Sequence, residues 1–243
     1  MPQTNQSEIE AQRAYYISIA EEYDSMHVNK RDGHFFALAF LVATLDHLDI
    51  SSILDIGSGT GRAIQFIKER RPDIRIVGIE PVEELRRQGY ARGLSENDLV
   101  EGDANRLIFQ SSEFDLVCEF GMLHHVRRPG TVISEMLRVA RKAIFISDSN
   151  NFGQGSFASR SLKQAANLLG LWPLVNFLKT RGKGYTFSKG DGLVYSYSVF
   201  NNYKQIKSQC DSVHLLNTGD AKINPYTSAA HVTLLGVKST GNE

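Results

Sequence analysis

The sequence predicts an α/β protein built on a doubly wound, mostly parallel sheet of seven strands. Three observations carry the prediction. Five short runs rich in β-branched residues between positions 52 and 147 alternate with helical stretches. A glycine-rich turn, Gly57-Ser58-Gly59-Thr60-Gly61, follows the first run. Two further strand-like runs near the end of the chain have too little sequence between them for a helical crossover, so they pair antiparallel at one edge.

In chain order, residues 7–24 set Ile9, Ala14, Tyr15, Ile17, Ile19, Ala20 and Tyr23 at a loose helical spacing against Glu8, Glu10, Glu21 and Glu22, which predicts an amphipathic leading helix. A second helix is expected over 35–48, before strand 52–56. Helix 61–70, strand 74–79, helix 82–92, strand 99–101, strand 114–119, helix 130–141 and strand 143–147 follow, joined by right-handed crossovers with helices on both faces. The rhythm breaks after Asp148. Residues 149–160 read as a polar loop and 161–179 as an apolar helical segment interrupted at Pro173. A polar stretch then leads to YSYSVF and a helix over 198–209, and strands 212–217 and 231–238 close the chain. The expected organisation is one domain over 1–243: a helical cap (1–50), a core (51–148), an insert (149–200), and a closing helix with edge strands (201–243).

Composition narrows the function. Lys plus Arg equals Asp plus Glu, at 27 each, so no basic excess points to a nucleic-acid partner. Cys118 and Cys210 lie far apart without metal-ligand spacing, which fits two reduced, buried thiols. The start MPQTNQSEIEAQ lacks the pattern of a secretory signal, and the longest apolar-rich stretch, 35–45, is well short of the roughly 20 residues that span a bilayer. A cytoplasmic protein, monomeric or homodimeric, is the expectation.

The glycine turn does not have the G-x-G-x-x-G spacing of a dinucleotide fingerprint, and no Gly-Lys-Ser/Thr of a phosphate loop follows it. Asp55, at the carboxyl end of the preceding strand, would also repel a pyrophosphate and attract a cationic amino group. In an open α/β sheet the ligand sits beyond the carboxyl ends of the strands, where strand order reverses. Those ends read Asp55 with the glycine turn, Glu80-Pro81, Gly102-Asp103-Ala104 and Glu119-Phe120-Gly121. A carboxylate after the second strand is suited to two ribose hydroxyls, and an aspartate after the third to an exocyclic adenine amine.

LDIGSGTG, GIEP, EGDANRL and FDLVCEFGMLHHV, in that order, resemble the motifs of the class I S-adenosylmethionine-dependent methyltransferases, and the resemblance covers nearly the whole chain. It implies a Rossmann-like sheet, S-adenosylmethionine as cofactor and S-adenosylhomocysteine as product. Carried onto matching positions, Gly57, Gly59 and Gly61 let the backbone approach the methionine moiety, with Ser58 in the same turn. Asp55 supports the ammonium group through the loop or water, and Glu80, followed by Pro81, holds the ribose. Asp103 and Ala104 face the adenine, and Glu119 and Phe120 line the methionine side. The segment ending IAEEYDSM resembles the family's leading helix, whose tyrosines close over the cofactor, which makes Tyr15, Tyr16 and Tyr23 candidates.

The expected reaction moves a methyl group to a small-molecule acceptor, at a hydroxyl oxygen of a natural product or sugar-type substrate. The alternatives are RNA, protein or lipid acceptors, or a binding module without chemistry. A hydroxyl acceptor needs a base, and His124 and His125 are the candidates, because imidazole titrates near neutrality. His124 is favoured for catalysis and His125 for a structural role, with His231 as a third candidate. No metal is expected, and Asp148 to Asn151 is the only stretch that hints at one. The apolar insert, with Trp172 and Leu174 at its centre and Lys163, Lys179, Arg181 and Lys183 flanking it, reads as a lid, a dimer contact or a membrane-facing patch, the lid being favoured over membrane contact.

Overall fold

A computed structural model describes residues 3–29, 32–219 and 224–239. Helix α1 (Gln3–Ile19) and short helix α2 (Tyr23–His27) lead the chain, so the expected single helix breaks at a turn in which the Glu22 N–H donates to the Ile19 carbonyl at 2.9 Å. Helix α3 (Gly33–Thr44) is capped by Asp32, whose carboxylate accepts from the Phe35 N–H at 2.7 Å. The core then alternates: β1 (Ser52–Ile56), α4 (Arg62–Arg70), β2 (Arg75–Ile79), α5 (Glu83–Ala91), β3 (Leu99–Val100), β4 (Phe114–Phe120), α6 (Pro129–Val139) and β5 (Ala140–Ser149). After it come α7 (Phe157–Leu168), α8 (Trp172–Lys179), a hairpin of β6 (Tyr185–Ser188) and β7 (Gly192–Tyr195), α9 (Tyr203–Lys207), β8 (Ser212–Asn217) and β9 (His231–Val237).

Three expectations change. The break in the insert falls at Gly170, in the left-handed region at φ 70°, while Pro173 sits in the first turn of α8, where its missing N–H costs nothing. The stretch 181–192 contains half of a β-hairpin. The helix expected over 198–209 is a 3-10 turn (Val199–Asn202) followed by α9.

The main sheet has the order β3-β2-β1-β4-β5-β9-β8. The strands from β3 to β5 pair in parallel, and β9 runs against both β5 and the edge strand β8. Alternate residues feed two cores. Leu54, Ile56, Val117, Ile144 and Ile146 meet α6 on one face, and Ile53, Leu116, Cys118 and Phe145 meet α3 and α4 on the other. The order reverses between β1 and β4, which places the crevice beyond Ile56 and Phe120. Among the described residues no helix is long and apolar enough to cross a membrane.

At the opposite end, Asp115 ties three segments together. It accepts from the Ser51 N–H at 2.9 Å, the Ser51 hydroxyl at 2.7 Å and the Arg141 Nε at 2.9 Å. Burial alone would raise its carboxyl, but these donors outweigh burial and hold it at about 2. Asp115→Ala is expected to cost about 1.5–3 kcal/mol at neutral pH. Because the folded pKa lies below the unfolded one, that contribution is present above the ordinary carboxylate pKa and is lost as pH falls toward about 2. Thermal melts of mutant and wild type should therefore differ at neutral pH and converge in acid, and equal melts at neutral pH would contradict the account.

Candidate active site

The glycine turn is shaped by what lies against it. Gly57 has φ 68°, and a Cβ there would lie 2.6 Å from the Met122 Cγ; Gly59 has φ 56°, and its Cβ would lie 2.9 Å from the Tyr23 hydroxyl. The Gly59 N–H donates to Glu80 Oε2 at 3.0 Å, and the Val82 N–H donates to Oε1 at 2.9 Å. Glu80 thus links the loops after β1 and β2. Burial pushes its carboxyl up to about 7 against the pull of those two N–H donors.

A cavity of about 320 Å³ opens beside this loop. Of the residues expected to hold a cofactor, Gly57, Glu80, Pro81, Asp103, Ala104, Phe120 and Tyr23 line it. Ser58, Gly59 and Gly61 lie behind the wall. There the Ser58 hydroxyl donates to the Asp55 carbonyl at 3.0 Å, and Gly61 (φ 81°) opens α4. Two expectations are corrected. The Asp55 side chain does not face the cavity: it is buried beside Cys118, and burial raises its carboxyl to about 7. Glu119 is fully buried too, because successive side chains of β4 point to opposite faces and Phe120 takes the cavity side. Burial, with the Asp148 carboxylate next to it, raises Glu119 well above the usual range, which favours its protonated form. Its Oε2 accepts from the Met122 N–H at 2.9 Å.

Tyr16 also lines the cavity, whereas Tyr15 packs against Phe187 of the hairpin at 5.7 Å between ring centroids and donates to the Lys189 carbonyl at 3.0 Å. Helix α1 and the β6–β7 hairpin form the roof together. Glu8 accepts from Arg127 and from the Tyr195 hydroxyl at 2.6 Å, and Gln12 Oε1 accepts from the Leu193 N–H.

His124 and His125 follow β4 in a 3-10 turn and have opposite environments. The Nδ1 of His125 donates to the Leu193 carbonyl at 2.7 Å, which leaves Nε2 to accept from the Tyr16 hydroxyl at 3.0 Å. Burial, with His124 nearby, lowers its pKa. It is a neutral clasp between roof and core. The Nδ1 of His124 lies 2.7 Å from Asp148 Oδ1, at the end of β5, and its Nε2 lies 3.4 Å from Asp191 Oδ2, in the hairpin turn. Burial would keep this ring neutral, but the two carboxylates outweigh it and push its pKa up to about 10. His124 therefore carries a proton at neutral pH. Ligand atoms of His124, His125 and Asp191 lie within 4.8 Å of one another, a spacing a divalent ion could bridge.

On the far side of this cluster lies a second, polar cavity of about 430 Å³, lined by His34, His124, Asn151, Lys179, Asp191, Tyr197 and His231 among others. Tyr195 borders both cavities. His34 and His231, from α3 and the start of β9, meet edge to face at 4.3 Å and are held neutral by burial. Sequence reasoning missed His34. The stretch that hinted at a metal is otherwise engaged: Asp148 pairs with His124, and the Asn150 amide donates to the carbonyls of Pro225, Tyr226 and Ala229 at 2.9 to 3.0 Å, which anchors the insert.

Residues 54–146 match the family model described as a methyltransferase domain. The chain is 28% identical over 138 residues to a phosphatidylethanolamine N-methyltransferase of Cereibacter sphaeroides, covering 49% of this chain and 61% of that protein. It is 39% identical over 74 residues to a demethylmenaquinone methyltransferase of Deinococcus radiodurans, covering 28% of this chain and 30% of that one. In both cases the match spans less than two thirds of the relative's length. The fold is shared with the Burkholderia thailandensis 1,6-didemethyltoxoflavin-N1-methyltransferase, solved with S-adenosylhomocysteine bound, at a TM-score of 0.63 and 15% identity, covering 97% of this chain and 90% of that one.

Proposed function

Because residues 54–146 match a methyltransferase domain and the fold is that of a methyltransferase solved with S-adenosylhomocysteine, we propose that the chain transfers the methyl group of S-adenosylmethionine to a small-molecule acceptor seated in the polar cavity, at a hydroxyl oxygen. The observation that carries this reading is that two cavities of different character lie on either side of the adjoining rings of His125 and His124, His125 lining the first and His124 with Asp191 the second, while Tyr195 borders both. The residues of the first cavity fit the cofactor. Glu80 is fixed by two backbone donors beside the cavity, and Gly57, which lines it, has no Cβ and so lets Met122 pack against the turn. Asp103, Ala104 and Phe120 line the rest, suited to the adenine and methionine ends. When bound, S-adenosylmethionine supplies a methyl group already activated on a sulfonium.

The protein's own task is alignment and proton handling. Tyr16 and Tyr23 close the first cavity from above, and the Glu8–Arg127–Tyr195 network fixes that roof. His124 is the proton acceptor for the hydroxyl. Asp148 orients it through Nδ1, so Nε2 faces the polar cavity. At neutral pH the ring holds a proton on Nε2 beside Asp191; it acts as the base only in the fraction that has lost this proton to solvent and kept Nδ1–H on Asp148, and Nε2 then accepts the hydroxyl proton.

The test is a screen with methyl-labelled S-adenosylmethionine against hydroxylated small molecules and amphiphiles, amines, RNA and protein. Label in a hydroxylated acceptor supports the reading. Label confined to RNA or protein overturns it, and label on amines alone would mean that the ionised Asp191 serves to hold an ammonium group.

A further inference from the structure

The insert is amphipathic in the wrong sense for a lid. Neither α7 nor α8 has a buried residue. Their polar side chains turn inward. Gln164 donates to the Phe152 and Thr227 carbonyls at 3.0 and 2.8 Å, Lys163 to the Asn151 and Gln154 carbonyls, and Trp172 Nε1 to the Ser196 hydroxyl at 3.0 Å. Their apolar side chains turn outward: Leu168 is 87% exposed, Phe157 78%, Leu162 73% and Leu178 67%, with Leu174 and Phe177 more than half exposed. Large apolar side chains facing water along two successive helices mark an interaction surface.

Charge identifies the occupant. Residues 149–190 contain six cations, Arg160, Lys163, Lys179, Arg181, Lys183 and Lys189, and no Asp or Glu, in a chain whose net charge is zero. The remainder is therefore net negative by the same amount. A two-fold dimer through this face would set one cationic insert against another, whereas an anionic bilayer offers apolar depth under a negative surface. Exposed apolar side chains flanked by cations are what an interfacial helix requires. We propose that the insert is a docking face for anionic membrane surfaces, with the outward side chains of α7 and α8 entering the interface. The helices lie on the bilayer, since no described helix is long and apolar enough to cross it. The substrate consequence rests on the methyltransferase reading above; the docking does not. Asn176, Lys179 and Thr180, at the end of α8, line the polar cavity from within, while the outer side of the same helix is apolar. An acceptor whose headgroup fills the polar cavity can thus keep its hydrocarbon part in the bilayer beside the insert, which makes a hydroxylated amphiphile the favoured substrate class.

The test is flotation of the full chain with phosphatidylcholine vesicles, with and without phosphatidylglycerol. Trp172, the only tryptophan, serves as a built-in reporter through quenching by brominated acyl chains. Binding is expected with phosphatidylglycerol, falling roughly tenfold or more at high salt or in the variant K179E/R181E. It should be lost in L168E/L178E, whose exposed positions leave the thermal melt and S-adenosylmethionine affinity unchanged. No flotation with anionic vesicles, or wild-type flotation of L168E/L178E, would overturn the proposal. So would a concentration-dependent mass that L168E/L178E abolishes, because a second copy would then cover the face. Docking by a chain that fails to bind S-adenosylmethionine would uphold this proposal and overturn only the enzymatic reading.

Discussion

His124→Gln is expected to lower turnover on the order of 10² to 10⁴-fold while leaving S-adenosylmethionine affinity nearly unchanged. Glutamine keeps the approximate size and a hydrogen bond to Asp148 but cannot exchange a proton. The ring in the wild type is faced by Asp148 from β5, Asp191 from the hairpin turn, Glu119 from β4, and the neighbouring His125 and His231. With its pKa pushed up to about 10, the base form is scarce at neutrality, so the rate should climb with pH toward that value. Asp191→Asn removes one of the two carboxylates. It should move this acidic limb down by about 1 to 3 pH units, because a nearby opposite charge stabilises the protonated ring by that much. A structural His124 would give a different pattern: Gln would lower the melting temperature, activity per folded molecule would persist, and Asp191→Asn would leave the limb in place. The same comparison on His125→Gln should show lost stability with little change in the limb, since both ring nitrogens of His125 are engaged, one with the Leu193 carbonyl and the other with the Tyr16 hydroxyl.

Glu80→Ala is expected to weaken S-adenosylmethionine binding by about 1.5 to 3 kcal/mol, or roughly 10- to 150-fold. In the proposed cofactor site the carboxylate would accept from two ribose hydroxyls; it already accepts from the Gly59 and Val82 N–H groups. Calorimetric titration reads the change, with circular dichroism confirming that the variant is folded. Burial has raised this carboxyl to about 7, and hydroxyl donors favour its ionised form. Wild-type affinity should therefore increase as pH rises through about 7, with a proton released on binding, and Glu80→Ala should abolish that dependence. Unchanged affinity in the folded variant would mean that the ribose is held elsewhere.

The core was legible because its strands are buried on both faces, so Ile53 to Ile56, Ile76 to Ile79 and Phe114 to Cys118 read as largely apolar runs, interrupted by Asp55, Gly78 and Asp115, whose ends could be located to within a few residues. The carboxyl ends of those runs gave the crevice, and with it Glu80, Asp103 and Phe120. The strands' alternation was harder to apply at their last residues. Reading Glu119 and Phe120 as one wall overlooked that neighbours on a strand face opposite ways; Asp55 shares the face of Phe120 but, paired with Cys118, lies too far back along the strand to reach the cavity. The hairpin was hidden because Tyr185, Thr186, Phe187 and Ser188 alternate for only four residues among glycines, too short a run to separate from a polar loop. The second cavity depends on tertiary structure alone: His34, His124, Asp191 and His231 come from α3, the turn after β4, the hairpin and β9, and no spacing in the sequence brings them together. The insert shows the same limit. Its apolar and basic residues were plain, but only the inward hydrogen bonds of Lys163, Gln164 and Trp172 reveal that the apolar side faces out.

The central claim is that a methyl group passes from the first cavity to an oxygen in the second. Mass spectrometry of the product formed from trideuteromethyl-labelled S-adenosylmethionine and a hydroxylated amphiphile, with S-adenosylhomocysteine measured alongside, tests it most directly. The account predicts one labelled methyl ether on the hydroxyl oxygen for each S-adenosylhomocysteine formed, with both falling together in His124→Gln. Label on carbon or nitrogen of the same acceptor, or tight S-adenosylmethionine binding with no S-adenosylhomocysteine formed with any acceptor, would contradict it.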